Sequence, residues 1–431
     1  MIEEYVCFIK QFVEKHEGVK VQNLSGKINR LSLKDMHRKM DRRRAKGVDG
    51  VGKEEYEKNL GANLEALEGR LKRDAYNPKP SKRVYVPKTG GKLRPLGISC
   101  YEDKLVEANV AELLMAVYEP KFMGCSYGFR PNRNCHQAIS ELKRQIIAEK
   151  VNYVVEADIK SFFDSVDHEW LIEFLEHYIA DKKCIRLIRK FLTAGIMEQG
   201  KFIERDEGTP QGSCMSPVLA NVYLHYVLDI WFEKVVKKGY KGFAGMVRYA
   251  DDFVCTFQYK QEAEKFMTDL KERMSKFSLE VAPDKTKLLE FGRWAAKNRA
   301  KRKEGKPETF NFLGFTHYCG RSLAGKFVVK LKTDRHRVAK KLQSLREWLS
   351  KNRTLPVKEI VERLNRSLVG YYNYYYVSTN TKTVYAFVTQ VERELFWILN
   401  RRSQRKSYTW SGFAAAMDAL GLVKPRNPKP I

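Results

Sequence analysis

"VRYADDFVCTF" (247–257) sets two carboxylates side by side between two apolar runs. Val247 and Tyr249 on one side, and Phe253, Val254 and Phe257 on the other, read as two short β segments. Asp251 and Asp252 fall where a tight turn would join them. Two readings compete. Aspartate is common in turns because its side chain bonds the local backbone, so a solvated turn accounts for the pair. Adjacent like charges also repel, and a bound cation would relieve that repulsion.

The composition narrows the choice. Lys and Arg outnumber Asp and Glu by 80 to 52, for a net charge of +28. A solvated surface does not need such an excess, which disfavours compactness by self-repulsion. A polyanionic partner explains it, nucleic acid before an anionic membrane surface. A chain of 431 residues with 43% hydrophobic and 31% charged residues has room for two or three soluble units. Cysteines at 7, 100, 125, 135, 184, 214, 255 and 319 show no CxxC spacing and no zinc-like Cys/His cluster. They read as reduced thiols of a cytoplasmic protein. The acidic, amphipathic start "MIEEYVCFIKQFVEKHEG" does not read as a signal peptide. The longest apolar stretch, "PVLANVYLHYVLDIWF" (217–232), is interrupted by Asn221, His225 and Asp229 and is too short to span a bilayer. No membrane partner is therefore expected.

Periodicity divides the chain. Residues 1–75 read as charged helices, with a basic segment at 39–51 ending in Gly-rich turn chemistry. "RVYV" and a Gly-Gly turn in 76–98 predict a β-hairpin. Leu105, Val106, Val110, Leu113, Leu114 and Val117 share one helical face, "YVVEADI" (153–159) is a strand, and helices follow at 167–179, capped by Asp167, and 216–236. After the "YADD" hairpin the pattern predicts a helix at 260–276 and strands near 286–291 and 310–318. Between those strands, "RWAAKNRAKRKEGK" (293–306) reads as an exposed basic loop. Helices at 335–351, 357–376 and 384–400 close the pattern. The second carries Ile360, Val361, Leu364, Leu368 and Tyr372 on one side, and the third Val384, Val388, Val391, Leu395 and Ile398. The fold class is α+β with an appended helical bundle.

Asp158 ends the strand "YVVEAD". One carboxylate at a strand end and two on a neighbouring hairpin can converge on two Mg²⁺ ions, which prefer carboxylates, phosphates and water. Such a pair activates a 3′-hydroxyl and stabilises a leaving pyrophosphate. Other blocks suit the same chemistry. "GTPQGSCMSPVLANVYLH" (208–225) is a glycine-bearing loop opening a helix, where a backbone can approach an anion closely. Lys92 and Arg94 fall on one side of their strand and suit a triphosphate, although a solvated edge strand would carry the same residues. "CSYGFRPNRNC" (125–135) adds Arg130 and Arg133 in a loop that reads equally as an exposed basic one.

Together, "KLRPLGI", "SYGFRPNR", "DIKSFFD", "GTPQGSCMSPVLANVYLH", "YADD" and "FNFLGF", in that order and at these spacings, resemble reverse transcriptases. The resemblance is specifically to those encoded in bacterial group II introns, and it covers about residues 40–415. It implies a right-hand polymerase with fingers and a ferredoxin-like palm, an N-terminal helical extension and an α-helical thumb. The implied segments are an extension at 1–67, fingers and palm at 68–318, a thumb or maturase domain at 319–400 and a short basic DNA-binding segment at 401–431. By the same resemblance Asp158, Asp251 and Asp252 are the catalytic aspartates, with the Ile159 carbonyl completing the shell of two Mg²⁺ ions. Lys92 and Arg94 would hold the triphosphate, Phe163 would exclude a 2′-hydroxyl, and Gln211 would line the nucleotide pocket. Tyr249 and Arg130 would meet the primer and template, and "FLGF", with Phe312, Leu313 and Gly314, would be the primer-gripping strand. Arg401, Arg402, Arg405 and Lys406, interleaved with Tyr408 and Trp410, would bind RNA, although a basic helix end reads the same way.

The partners so implied are intron RNA, an RNA–DNA template duplex, target DNA and deoxynucleoside triphosphates. The expected function is RNA-directed DNA synthesis with maturase-assisted splicing and target-primed copying during retrohoming. A free-standing cellular reverse transcriptase, for example in phage defence, and a non-enzymatic splicing factor on a polymerase scaffold are the alternatives. Larger intron proteins continue into an HNH endonuclease, and the chain to Ile431 carries no such Cys/His constellation. No self-encoded strand nuclease is expected.

Overall fold

The computed structural model describes residues 2–16, 18–87, 93–402 and 407–431. In chain order the strands are β1 (Ser81–Pro87), β2 (Leu93–Ile98), β3 (Tyr153–Asp158), β4 (Ile196–Glu198), β5 (Lys201–Ile203), β6 (Ala244–Tyr249), β7 (Asp252–Phe257), β8 (Lys287–Glu290), β9 (Phe310–Phe312), β10 (Phe315–Arg321) and β11 (Phe327–Thr333). They form three sheets of order β2-β1-β4-β5, β6-β7-β3-β8 and β11-β10-β9. Contacts divide the chain into two compact units. One holds Met1–Asn134, Ala157–Phe253 and Gln261–Lys287; the other holds Cys135–Glu156, Val254–Lys260 and Leu288–Ile431.

In the first unit the expected hairpin is β1 against β2, antiparallel, with Arg94 opposite Val86. The helix Tyr101–Tyr118 buries the six apolar positions read from the sequence, and also Asp103, Glu107 and Asn109. A helix packed on all sides must satisfy its polar groups internally. Tyr76 donates to Asp103, and Ser99 Oγ donates to Glu107 at 2.7 Å. Burial pushes the Asp103 carboxyl up to about 6 and the Glu107 carboxyl up to about 7. Asp167 caps the helix His168–Tyr178 by accepting from Trp170 N at 3.0 Å, as its position predicts. The stretch expected as one helix at 216–236 begins as an α-helix at Ser216–Leu224, then widens into π turns at His225–Asp229 and Phe232–Val236. Such turns concentrate at functional sites because they re-aim side chains.

In the second unit the helices Arg335–Lys351, Val357–Tyr375 and Thr381–Asn400 enclose a core that includes Leu349, Ile360, Leu364, Leu368, Val384, Phe387, Val391 and Leu395. The ring of Tyr371 stacks on Phe387 with centroids 4.0 Å apart. Ile398, expected on the buried stripe, is only partly buried.

Two expectations need correction. Residues 293–306 are not a plain loop: Ala295–Lys301 is helical, with Ala295 buried. The "FLGF" stretch is not a strand throughout. Phe312 pairs with Phe315, and Leu313 and Gly314 turn between them at φ of 49° and 78°. Positive φ at both central residues is what a two-residue hairpin turn of this hand requires. All eight cysteines are free thiols. Among the described residues no helix is long and apolar enough to cross a membrane.

Candidate active site

Asp158 is the last residue of β3 and Asp252 the first of β7, the strand next to it. Asp251 and Ala250 form the turn between β6 and β7, with Ala250 at φ 59°, a conformation an alanine rarely adopts unaided. The half-buried Asp251 carboxyl is raised above the usual aspartate range, first by desolvation and then by the charge of Asp158. Arg94 and Lys285 act in the opposite direction. Lys285 also forms an ion pair with Asp158. The two aspartates and the cation at the start of β2 therefore share one electrostatic field.

Ile159 follows Asp158 and pairs with Val281 across an antiparallel bridge. Hydrogen bonds flank that pair, from Ala282 N to Asp158 O at 2.8 Å and from Lys160 N to Glu280 O at 2.9 Å. In that pattern the bridged residue directs its own carbonyl to the opposite edge. For Ile159 that edge is the one bordered by β7 and Asp252.

The loop at 208–216 is held from three sides. Gln211 O accepts from Gly97 N of β2 at 2.7 Å, and Gln211 Nε2 donates to Asp164 at 3.1 Å. Thr209 N donates to Phe163 O at 2.6 Å, and Cys214 N to Glu107 at 3.1 Å. Gly212, at φ 118°, leaves 2.7 Å between an added Cβ and Gly97 O. Gly208, at φ 80°, approaches the backbone of Phe163 and Asp164 within 3 Å in the same sense. Backbone bonds thus link the strand that carries Arg94, the loop that carries Gln211 and the turn Phe162–Asp164. Lys92, Arg405 and Lys406 lie outside the described residues.

The stretch 125–128 runs beside β6. Tyr127 N donates to Arg248 O, and Arg248 N donates to Cys125 O, both at 2.8 Å. A Cβ on Gly128 would lie 2.3 Å from Ala250 N, so only glycine lets this loop touch the aspartate turn. Tyr249 ends β6 with its ring 6.5 Å from that of Phe129.

Arg130 is not placed as a primer or template contact would need. Its Nε and Nη2 donate to the Glu119 carboxylate at 3.0 and 2.8 Å, and Nη1 to the carbonyls of Met123 and Ser126 at 2.8 and 2.9 Å. The group is buried, and these internal acceptors engage all three of its nitrogens. Arg133 instead donates to Gly124 O at 3.0 Å and lies over the Tyr127 ring. In the second unit, a Cβ on Gly314 would meet Tyr375 Oη at 2.9 Å. Arg401 is exposed over the Trp397 ring, whereas Arg402 turns inward and donates to Leu355 O at 2.8 Å.

The site contains groups that sequence reasoning missed. Arg248, fully buried, donates to both oxygens of Asp229 at 2.7 and 2.5 Å. It also donates to Asn221 at 3.1 Å, to Ser126 Oγ at 2.8 Å and to Ala250 O at 2.9 Å. The carbonyl of the aspartate turn is thus held by a buried guanidinium whose charge Asp229 balances. A signal existed in the sequence: Asn221, His225 and Asp229 recur every fourth residue inside an apolar helix, a polar stripe with no solvent to face.

A family profile described as reverse transcriptase (RNA-dependent DNA polymerase) matches residues 86–317, more than half of the chain. The chain belongs to the reverse transcriptase family. A second profile, the maturase-specific domain of group II introns, matches residues 338–413 of this reverse transcriptase. Protein YkfC of Escherichia coli K12 is 35% identical over 236 residues, covering 48% of this chain and 62% of that protein. The group II intron-encoded protein LtrA of Lactococcus lactis is 44% identical over 156 residues, 36% of this chain and 26% of its own. A 91 kDa protein in a cob intron of Schizosaccharomyces pombe is 41% identical over 173 residues, 40% of this chain and 21% of its own. The matches thus span from about a fifth to about three fifths of those relatives. Mixed helix and sheet with this domain implies the right-hand polymerase fold.

Reverse transcriptase domains use divalent metal ions. Among the described residues no three acidic, His or Cys side chains are already gathered around one point. The donors nonetheless suit a hard cation: two carboxylates raising each other's energy, a third one residue on, and a carbonyl on the same edge.

Proposed function

We propose that this reverse transcriptase copies RNA into DNA with two Mg²⁺ ions held by Asp158, Asp251, Asp252 and the Ile159 carbonyl. When bound, the ions would activate the primer hydroxyl and stabilise the departing pyrophosphate. Arg94, with Lys92, takes the triphosphate; Phe163 packs on the sugar; Gln211 lines the base side; Tyr249 lies under the primer end. Residues 319–400 form the thumb on the template–primer duplex. Arg401 meets intron RNA through its phosphates. The maturase match and the intron-encoded relatives support a second role, in which the protein helps intron RNA fold for splicing and copies it by target-primed synthesis during retrohoming.

The observation that carries the polymerase reading is geometric: Asp158 ends β3, the neighbouring strand β7 opens on Asp252, and Asp251 sits in the β6–β7 turn within the field of Asp158 and Arg94. A structural turn aspartate gains nothing from such a place, whereas a metal ligand facing a triphosphate clamp does. The test is primer extension on an RNA template with Mg²⁺ and deoxynucleotides. Asp251→Ala should abolish extension, and Phe163→Ala should admit ribonucleotides. Full activity of the first variant would remove the metal assignment, and unchanged sugar selectivity of the second would remove the gate. Splicing of intron RNA at low Mg²⁺ should survive Asp251→Ala.

A further inference from the structure

The basic segment that follows β8 has no part in the polymerase site. In the second unit it forms one wall of a cleft of about 400 Å³. That size falls in the range of about 300–1,000 Å³ usual for small-ligand sites. Its floor is anchored. Phe291 N donates to Asn152 O at 2.9 Å. A Cβ on Gly292, at φ 156°, would come within 2.2 Å of Val151 O. Arg293 donates to Ile147 O at 3.2 Å. The next residue, Trp294, follows this anchored backbone and is itself 52% exposed. Cys319, Gly320 and Arg321 of β10 line the other side of the cleft.

The charge is one-sided. Arg293, Lys297 and Arg321 line the cleft and no acidic residue does. The nearby carboxylates are taken up elsewhere, Glu290 by Arg302, and Glu304 and Glu308 by Arg299. None of the three lining cations forms a salt bridge among the described residues. Lys297 Nζ lies over the Trp294 ring, 5.7 Å from its centroid, which places a cation at one face of the exposed indole. A water-exposed indole on a rigid base, ringed by unneutralised cations, is poorly matched to an apolar peptide. It is well matched to a base with its phosphates.

We propose that this cleft is a subsite for one unpaired nucleotide of single-stranded RNA. The base stacks on Trp294, and Arg293, Lys297 and Arg321 take the flanking phosphates. A duplex keeps its bases inside its stack and cannot offer one to the indole, so the ligand is a loop, bulge or end. The inference rests on the reading that this protein handles RNA, and adds where an unpaired segment is held away from the aspartates.

The test uses the full chain and a ten-nucleotide unstructured RNA carrying one 4-thiouridine, with the same sequence as DNA and as an RNA duplex for comparison. Photo-cross-linking should label peptides containing 293–297 or 319–321. Trp294→Ala should weaken RNA binding roughly fivefold or more, Trp294→Phe should restore most of it, and Lys297→Glu with Arg321→Glu should weaken it at least about tenfold. Extension of a saturating annealed RNA–DNA template–primer should stay within about twofold of wild type, which also reports that the variants are folded. Wild-type binding and extension with unchanged affinity in the variants, or labels only elsewhere, would overturn the subsite alone. Equal, Trp294-dependent binding of the DNA would overturn the RNA assignment. A wild-type protein that neither binds the RNA nor extends a primer would overturn the polymerase reading with it.

Discussion

At Asp251 two demands conflict. The fold desolvates a carboxyl beside another carboxylate, and both effects raise its pKa. A folded-state pKa above the unfolded value means the native protein holds the proton more tightly, so ionised Asp251 costs stability once the pH exceeds the ordinary aspartate range. Asp251→Asn should therefore raise the metal-free Tm, by roughly 1–3 °C, while reducing extension about 10³-fold or more. It should also remove the gain in Tm that Mg²⁺ gives the wild type; a variant less stable without metal would show that the carboxylate is not strained. Arg248 presents the opposite case, a charge that the fold cannot lose. Arg248→Met leaves Asp229 buried and unpaired, at a cost of about 3–5 kcal/mol in urea unfolding. Arg248→Lys keeps the charge but cannot reach Asn221, Ser126 and Ala250 together. The folded Lys variant should need more Mg²⁺ for half-maximal extension, with kcat down about tenfold and KM for the deoxynucleotide little changed. An unaltered Mg²⁺ requirement would make Arg248 merely structural. The places of Asp158 at a strand end and of Asp251 in a turn were legible from local pattern. Arg130 was misread because its burial depends on Glu119, on a different segment, which its own loop pattern does not report, and Arg248 was overlooked although the polar stripe of Asn221, His225 and Asp229 marked a buried partner for it.

Elements were more legible than residues. Apolar spacing alone places the helices Lys260–Lys276 and Arg335–Lys351 at their observed ends, because a helix's buried stripe is written at a fixed period. The pair β4 and β5 escaped because each is only three residues long, β11 escaped because it is only partly buried, and the helix Ala295–Lys301 escaped because it buries almost nothing. The loop at 208–216 shows what such reading leaves out. Its glycines were visible, but the reason for them, a backbone pressed on Gly97 and Phe163, is tertiary. Gly212→Ala should cost about 1–3 kcal/mol and raise KM for the deoxynucleotide, since both the positive φ and the contact with Gly97 O are lost. The same loop is tied to Glu107, whose pKa burial raises to about 7. Folded protein keeps that proton where the unfolded chain has lost it, so the stabilisation is complete below about pH 4.5 and disappears as the pH rises through about 7. Glu107→Gln carries no such proton. Urea unfolding from pH 4.5 to 8 should show wild type losing stability relative to Glu107→Gln up to about pH 7 and tracking it above. Parallel curves throughout would place the carboxyl in contact with water.

At the scale of the whole molecule the charge is the dominant fact. Of 80 basic residues against 52 acidic, many of the acids are already spent within the fold, as Asp229 is on Arg248 and Glu119 on Arg130. The surplus that remains is cationic and faces solvent, where it repels itself until an anion covers it. Polyanion binding that draws on such a surface releases counterions, and its affinity falls steeply with salt. Contact with six to ten phosphates would weaken RNA binding by about 10³–10⁵ between 50 and 200 mM salt. The catalytic step should not share that dependence, because the half-buried aspartates are screened far less than exposed lysines. Equilibrium RNA binding should therefore fall at least about 10²-fold over that range, while single-turnover extension of an already bound template–primer changes only a few-fold. Asp251→Asn should leave the salt slope of binding unaltered, since it removes a half-buried charge that the proposed function assigns to a metal and not to the RNA. A shallow slope in the wild type would mean that the surplus serves some other anion, and a slope that moves with Asp251 would mean that the polymerase centre and the RNA-binding surface are one.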